Sequence, residues 1–464
     1  MSGVIQAVNP ATEEVIGEYA LFSEADVEDA LAAATTAARA ARAQAVEERV
    51  TVLRNVAAGL RAGRDELATL ISTEMGKPIA EAEAEVEKCA VCCDFYASAG
   101  PAHLADEVID VAAPERGLVA FEPLGVVLAV MPWNYPLWQV FRFAAPALLA
   151  GNAAVLKHAS NVPGCALAIQ RLVEEAGGEP GLLRTVLIPG SGVVRLIADP
   201  RIAAVTLTGS TEVGREVASA AGAVIKKQVL ELGGSDPFVV LDDADVEEAA
   251  LAAARARNQN AGQSCIAAKR FIVAAGLAAE FAERLAAAVA ALAMGDPLDR
   301  ATRLGPLARR DLRDSLAAQV ERSVGDGARV LAGGRAAERP GYFFEGTVVT
   351  GVTPEMALFS EETFGPVAAV SASTTEVAAV NLANRTEYGL GASVWTSDPE
   401  RGLAVARRID AGSVFVNGQV ASDPRFPFGG VKLSGYGREL GATGAREFTN
   451  VKTIRAWPGR RTGA

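Results

Sequence analysis

Apolar positions recur along the first hundred residues at the spacing of a helix. One apolar stripe runs from Val50 to Leu60 with a period of three or four residues. Ser23 followed by Asp26 is a helix-start capping signal, and the alanine-rich segment after it favours a helix to about Arg42. A further helix is predicted after Pro78. The N-terminal region is therefore expected to be helical.

Beyond this region the pattern changes to short apolar runs separated by segments of helix length. Such an alternation is typical of βαβ units and of a parallel sheet. The predicted strands are Val126–Val130, Ala153–Leu156, Thr185–Ile188, Ala204–Thr208, Pro237–Leu241, Arg270–Val273, Val367–Ser371, Ala392–Trp395 and Ser413–Val416. The predicted helices between them are Cys165–Glu175, Thr211–Ala221, Leu277–Ala293 and Pro399–Ile409. We expect two α/β domains, each a doubly wound parallel sheet, with a hinge at Gly233-Gly234.

Composition and charge narrow the class of protein. A chain of 464 residues that is 50% hydrophobic and 22% charged is typical of a globular protein with more than one domain. Its net charge of -12 and the lack of a basic run argue against nucleic acid and anionic membranes as partners. The N-terminal residues lack the basic flank and apolar run of a signal peptide. We expect a cytoplasmic protein whose five cysteines form no disulfide framework.

Four short segments pair a reactive side chain with glycine or proline, and they contain Asn134, Glu231, Cys265 and Glu362. A thiolate nucleophile at Cys265 requires a lowered pKa or a nearby base, and the chain has only two histidines. We therefore interpret Glu231 as the base and Asn134 as a donor to the oxyanion of a covalent intermediate. The alternatives are that Cys265 is a small buried hydrophobe and Glu231 a solvated strand end.

The common dinucleotide motif G-x-G-x-x-G follows none of the predicted strands. Instead, the strand that ends at Thr208 passes through Gly209 and Ser210 into a predicted helix. The N–H groups at the start of that helix can receive a pyrophosphate. The alternative is that Gly209 is an ordinary turn glycine.

Trp138 and Arg142 lie four and eight residues after Asn134, so a helix that starts near Pro136 places them on one face. An arginine on the face toward Asn134 suggests a substrate with an anionic tail, because its planar fork matches a carboxylate. The alternative is a structural ion pair of Arg142.

Three further cysteines form a C-x-x-C-C pattern at residues 89–93, which in another context suggests a metal site. The segment is predicted to be helical, and Val86, Cys89 and Cys93 fall on one apolar stripe of that helix. We interpret these thiols as core residues and predict no metal site.

Taken in this order, the segments resemble the NAD(P)-dependent aldehyde dehydrogenase superfamily. The match extends from Asn9–Thr12 to Phe448–Asn450 and includes Leu207–Gly214 and Pro427–Gly430. The resemblance implies that Cys265 is the nucleophile, Glu231 the general base and Asn134 the oxyanion donor. It also implies a cofactor site formed by Trp133, Lys157, Ser160, Gly209, Ser210, Glu362 and Phe364.

The resemblance further implies the architecture and the assembly. We expect a cofactor-binding domain of residues 1–103 and 123–233 and a catalytic domain of residues 234–436. Residues 104–122 and 437–464 are then a small oligomerisation arm and a C-terminal strand near Val451–Trp457. Members of this superfamily form homodimers or homotetramers through such an arm, so we expect one of these states.

The activity implied is oxidation of an aldehyde through a Cys265 thiohemiacetal and thioester, with NADP or NAD as cofactor. Many NAD-preferring relatives carry Glu three residues after the lysine at 157, whereas this chain has Ser160. A neutral residue there does not repel a 2'-phosphate, so NADP should be tolerated or preferred. The alternative is a surface serine without a cofactor role.

The finer pattern around Asn134, Lys157 and Glu231 is most similar to the shorter bacterial succinate-semialdehyde dehydrogenases. This implies succinate semialdehyde as substrate, with Trp138, Arg142 and Ser422 in the substrate site. The alternatives are another aldehyde, such as glutarate semialdehyde, an aminoaldehyde or an aliphatic aldehyde, and a cofactor-independent cysteine hydrolase.

Overall fold

Helices dominate the first hundred residues of the computed structural model, which describes residues 3–458. Ser23 caps the first long helix, since its side chain accepts from the Asp26 N–H and the Asp26 carboxylate accepts from the Ser23 N–H. The predicted capping signal is therefore confirmed. The elements of this region are β1 (Val4–Val8), β2 (Val15–Ala20), α1 (Glu24–Ala43), α2 (Val46–Ala62), α3 (Arg64–Met75) and α4 (Ile79–Leu104).

The next region supplies most of a six-stranded sheet. Its elements are β3 (Glu107–Ile109), β4 (Arg116–Pro123), β5 (Val126–Met131), α5 (Trp138–Leu149), β6 (Ala153–His158), α6 (Pro163–Glu175), β7 (Leu183–Thr185), α7 (Val193–Ala198), β8 (Ile202–Thr208), α8 (Thr211–Ala223) and β9 (Lys227–Glu231). All six residues of β5 are buried, and β5 pairs in parallel with β6 and β8. A strand covered on both faces has to be apolar throughout, which is why the short apolar runs predicted this sheet.

The strand predicted at Thr185–Ile188 is displaced. The observed strand β7 ends at Thr185, where it pairs with Leu156 of β6. Val186, Leu187 and Ile188 are buried but lie outside the strand. Their apolar run correctly predicted that these three residues are buried, and it incorrectly predicted that they pair in the sheet.

The second half of the chain forms a seven-stranded sheet in the order β12-β13-β14-β11-β10-β15-β16. Its strands pair in parallel except that β12 is antiparallel to β13. The elements are β10 (Asp236–Val240), α9 (Val246–Asn258), β11 (Ala268–Ala274), α10 (Ala278–Ala290), α11 (Arg310–Gly325), β12 (Arg329–Ala332), β13 (Thr347–Thr350), α12 (Ala357–Ser360), β14 (Val367–Ser373), α13 (Glu376–Asn384), β15 (Gly391–Trp395), α14 (Pro399–Ala406), β16 (Ser413–Val416), β17 (Gly435–Tyr436), α15 (Gly441–Glu447) and β18 (Thr449–Ala456).

The chain passes from one large sheet to the other at the predicted hinge. Gly233 and Gly234 lie between β9, which belongs to the six-stranded sheet, and β10, which belongs to the seven-stranded sheet. The chain later returns, because β17 pairs antiparallel with β9 and completes the order β17-β9-β8-β5-β6-β7. The domain boundaries given above stay predictions. The strand β17 lies within the predicted catalytic domain, but it pairs in the six-stranded sheet, whose other strands lie in the predicted cofactor-binding domain.

A third sheet of three strands has the order β18-β4-β3. Val108, Val451 and Trp457 are exposed at or beside its strands, at 85%, 61% and 62% of their full area. Within the described part of the chain, every helix is too short or too polar to cross a bilayer.

The three cysteines of the C-x-x-C-C pattern are completely buried in α4. Burial raises the pKa of the Cys89, Cys92 and Cys93 thiols. They pack in the same core cluster as Val86, as the apolar stripe predicts.

Candidate active site

Cys265 follows a loop with an unusual backbone. Three successive residues adopt the left-handed conformation: Asn260 with φ 54°, Ala261 with φ 51° and Gly262 with φ 73°. For an alanine this conformation costs about 1–2 kcal/mol. A Cβ on Gly262 would lie 2.2 Å from the Gly365 carbonyl oxygen, so only glycine fits there. The loop places Cys265 just before β11, an inner strand of the seven-stranded sheet.

Hydrogen bonds involving Glu81, Asn134 and Lys269 hold this loop. The Asn260 N–H donates to the Glu81 carboxylate at 2.7 Å, and the Asn260 side chain donates to the Asn134 carbonyl at 2.8 Å. The buried Lys269 amine donates to the carbonyls of Ser264, Cys265 and Ala267 at 3.1, 2.9 and 3.2 Å. These bonds offset the backbone strain and keep Cys265 in one position.

Arg257 connects the cysteine loop to the loop of Glu362. Its fully buried guanidinium donates to the Gly262 carbonyl at 3.1 Å, to the Thr363 carbonyl at 3.2 Å and to the Gly365 carbonyl. Burial lowers the pKa of Arg257 to about 9. The sequence analysis missed Arg257 and Lys269. The signal that could have identified them is that each is a charged residue in an otherwise buried segment.

Two cavities meet at Cys265. The first has a volume of about 260 Å³ and includes seven predicted site residues in its wall: Trp133, Asn134, Gly209, Ser210, Cys265, Glu362 and Phe364. The second has a volume of about 150 Å³ and includes Trp138, Arg142, Ser422 and Cys265. Cys265 and the buried Gln139 line both cavities. Glu231, Lys157 and Ser160 line neither cavity.

Asn134 and Cys265 share the wall of the first cavity. The Asn134 amide donates to the Gln263 carbonyl at 3.1 Å, which orients its NH₂ group and leaves it a second N–H. Burial raises the pKa of the Cys265 thiol to about 12, although Arg142 and Lys269 oppose this rise. The thiol therefore needs a proton acceptor before it can attack a carbonyl.

Glu231 is the last residue of β9 and is buried. Its carboxylate oxygens have no hydrogen-bond partner within residues 3–458, and burial raises the pKa of the group well above its usual range. A Cβ on Gly429 would lie 2.7 Å from one of these oxygens, so glycine makes room for the carboxylate. The charge of Glu231 raises the pKa of the Cys265 thiol.

The first cavity has the features of a dinucleotide site. Trp133 and Phe364 pack edge to face with ring centroids 5.7 Å apart. Ser210 caps the thirteen-residue helix α8, with its side chain accepting from the Val213 N–H at 3.4 Å. The Glu362 carboxylate accepts from the Gly234 N–H at 2.9 Å, which fixes its orientation. Aromatic rings, a helix N-terminus and a carboxylate fit nicotinamide, pyrophosphate and ribose hydroxyls.

Lys157 lies on β6 next to its last residue, and Ser160 follows the strand on the surface. Burial lowers the pKa of the Lys157 amine, and this amine forms no ion pair within residues 3–458. An anionic or hydroxylated group would compensate such a cation. The residues present therefore fit NADP or NAD, and the roles of Lys157 and Ser160 stay predictions.

The second cavity contains Trp138 and Arg142 on one face of α5, as predicted. The helix begins at Trp138 because the Glu85 carboxylate accepts from the Leu137 and Trp138 N–H groups at 2.9 and 3.0 Å. The Arg142 guanidinium forms a buried salt bridge with Glu439. This salt bridge corresponds to the alternative considered above, a structural ion pair of Arg142. A substrate role for Arg142 stays a prediction.

Arg142→Met is expected to lower the free energy of unfolding by about 3–5 kcal/mol, because it leaves the Glu439 charge buried without a partner. The double variant Arg142→Met/Glu439→Leu should lose much less, since no charge then remains. Urea denaturation of the three proteins measures both effects. Equal losses in the single and double variants would contradict a structural salt bridge.

Lys88 is a further cation of the second cavity that the sequence analysis missed. It lies on α4 with Glu81, Ala84 and Glu85, and all four line the cavity. Spacings of three and four residues place them on one helix face. The detectable signal was the spacing of the charged residues Glu81, Glu85 and Lys88 at the period of a helix.

Comparisons with known proteins agree with this geometry. The sequence pattern of the Aldehyde dehydrogenase family matches residues 1–454. The chain is 50% identical to a probable succinate-semialdehyde dehydrogenase (NADP+) of Synechocystis sp., over 97% of this chain and 99% of the relative. It is 48% identical to the succinate semialdehyde dehydrogenase (NAD(P)+) Sad of Escherichia coli, over 97% of each chain. A crystal structure of succinic semialdehyde dehydrogenase from Streptococcus pyogenes with NADP+ superposes with a TM-score of 0.95 at 37% identity, over 98% of this chain and 100% of that one.

Proposed function

Because the chain belongs to the aldehyde dehydrogenase family, we propose that it oxidises succinate semialdehyde to succinate with NADP or NAD as cofactor. The chain is an NAD(P)-dependent aldehyde dehydrogenase, and its substrate is a small-molecule aldehyde. The names of relatives at 48% to 50% identity support this particular aldehyde. The NADP-bound structural neighbour supports use of NADP.

The proposed reaction begins at Cys265. Glu231 takes the proton of the Cys265 thiol and passes it to solvent, and the sulfur attacks the carbonyl carbon, forming a thiohemiacetal whose oxyanion accepts an N–H from Asn134. A bound nicotinamide supplies the acceptor for the aldehyde hydrogen and its electron pair. Cys265 then carries the acyl group as a thioester. Glu231 removes a proton from water, and the resulting hydroxide attacks the thioester and releases the carboxylate and the thiol.

The observation that carries this proposal is the position of Cys265 in the walls of both cavities. A sulfur between a dinucleotide site and a second cavity can be acylated from one side while hydrogen leaves toward the other. Trp133, Gly209, Ser210, Glu362 and Phe364 supply the cofactor side. Steady-state rates with succinate semialdehyde, butanal and 4-aminobutanal, each with NADP and NAD, test the function. Product formation without cofactor reduction would favour a cysteine hydrolase.

Ser160→Glu tests the predicted basis of NADP use. We expect kcat/KM with NADP to fall on the order of 10²-fold, because a carboxylate there repels the 2'-phosphate with about 3 kcal/mol at a separation of a few ångströms. The value with NAD should change less than about threefold on the same grounds. Ser160→Gln, of similar size without the charge, is the matched control. Equal effects of both variants with both cofactors would remove Ser160 from the cofactor site.

We also propose that the chain forms a homodimer or a homotetramer through the three-stranded sheet. The last strand β18 pairs with β4 and leaves Val451, Ile454 and Trp457 exposed. An edge strand with exposed apolar side chains favours pairing with a second copy. Sedimentation of the purified protein distinguishes the two states. A cytoplasmic location stays a prediction.

A further inference from the structure

We propose that Lys88 of α4 binds the distal carboxylate of the substrate in the second cavity, with Ser422 donating a second hydrogen bond to the same group. This inference rests on the proposed function, because it presupposes an aldehyde with an anionic tail. It assigns the charge recognition to α4, whereas the sequence analysis expected it from Arg142 on α5.

The charges that line the second cavity are unequally compensated. The residues concerned are Glu81, Glu85, Lys88 and Arg142. Glu85 forms a buried salt bridge with Lys77, and Arg142 forms one with Glu439. Lys88 forms no ion pair within residues 3–458. Of the two cations that line the cavity, Lys88 is therefore the one that has no salt-bridge partner among the described residues and can bind an anion.

The surroundings of Lys88 leave it poorly solvated. Its ammonium lies over the Trp138 ring, 4.4 Å from the centroid, and donates to the Ser422 hydroxyl at 2.8 Å. Burial lowers the pKa of the amine to about 8, with Arg142 adding to this effect. A bound carboxylate would restore the stabilisation that water no longer gives to the ammonium. The cavity therefore favours an anionic group at this position.

Ser422 is oriented by two donors. Its oxygen accepts from the Lys88 ammonium at 2.8 Å and from the Trp138 indole N–H at 3.1 Å. Both lone pairs of the oxygen are then used, so the hydroxyl hydrogen has to find an acceptor elsewhere. Ser422 makes no donor hydrogen bond within the described residues, and it lines the same cavity as Cys265. A carboxylate accepting from both Lys88 and Ser422 satisfies these remaining donors.

The two carboxylates that line the second cavity, Glu81 and Glu85, are bound by donors other than Lys88. The Glu85 carboxylate is held by Lys77 and by two backbone N–H groups of the α5 start. The Glu81 carboxylate accepts from the Asn260 N–H at 2.7 Å, and burial raises its pKa to about 7. Lys88 is therefore the charged residue of the second cavity whose counter-ion a substrate tail can supply.

The test compares an anionic aldehyde with a neutral one of the same chain length. Succinate semialdehyde and butanal are oxidised by the purified full chain with saturating NADP, and kcat/KM is measured for wild type and Lys88→Met. We expect the variant to lose on the order of 10²-fold with succinate semialdehyde, because a charge-assisted bond is removed. With butanal the change should stay below about threefold, since methionine keeps the length and the apolar contact with Trp138. Ser422→Ala should lose about tenfold, again with succinate semialdehyde alone.

Each outcome decides one of the two proposals. If wild type shows no preference for succinate semialdehyde over butanal, the proposed substrate is wrong whatever the variants do. If wild type has the preference and Lys88→Met retains it, the carboxylate is bound elsewhere and the inference is overturned. If Lys88→Met loses both activities equally, Ser422→Ala decides, and equal losses there with the two aldehydes also overturn it.

Discussion

Cys265→Ser is expected to lower kcat for aldehyde oxidation on the order of 10⁴-fold, as loss of a catalytic nucleophile does in other enzymes. The surroundings already raise the pKa of the Cys265 thiol to about 12. The same surroundings act on a serine hydroxyl, whose alkoxide is much less accessible and whose oxygen is the weaker nucleophile. Formation of reduced NADP from succinate semialdehyde measures the loss.

The matched control is binding of NADP, followed by equilibrium titration. Cys265 is one of fourteen residues in the wall of the first cavity, so a change of sulfur to oxygen should leave cofactor affinity within about threefold. A variant that binds NADP normally and still oxidises the aldehyde at its normal rate would refute the assignment of the nucleophile.

Asn134→Ala is expected to reduce kcat by about 10²- to 10³-fold, because one donor to the oxyanion is lost. KM should change little, since the bond forms in the transition state and not in the bound substrate. The backbone carbonyl of Asn134, which accepts from Asn260 at 2.8 Å, is retained in the variant, so the cysteine loop keeps this support. Steady-state kinetics with succinate semialdehyde separate kcat from KM.

Thermal unfolding controls for the second contact of the side chain, the 3.1 Å bond from Asn134 to the Gln263 carbonyl. Its loss should cost about 1 kcal/mol, far less than the kinetic effect. A large fall in stability together with a large rise in KM would mean that Asn134 organises the loop and does not act on the oxyanion.

The sequence predicted well those elements whose formation depends on residues that are close together in the chain. The capping pair Ser23 and Asp26 marks the start of α1, and the buried run of β5 marks a central strand, because both patterns depend on neighbours in sequence. Short or polar elements left no comparable pattern. The strand β12 is mostly exposed and β17 has two residues, and each exists because a distant partner completes it.

The candidate site shows the same limit. Motif order placed Cys265, Asn134 and the cofactor residues in the chain, and the structure brings most of them to one cavity. The role of Arg142 could not be decided from the sequence, because its partner Glu439 lies 297 positions away. Lys88 was missed for a related reason, since only packing against Trp138 and Ser422 shows that it faces the substrate cavity.

The return of the chain at β17 has a consequence for biosynthesis. A nascent chain emerging from the ribosome can form most of the six-stranded sheet early, and domains generally fold in that order. Until residues 435–439 have been translated, however, β9 lacks one of its two neighbours and Arg142 of α5 lacks its counter-ion Glu439. The first half of the molecule should therefore remain incompletely folded during most of translation. A chaperone that acts on nascent chains would bind it in that incompletely folded state.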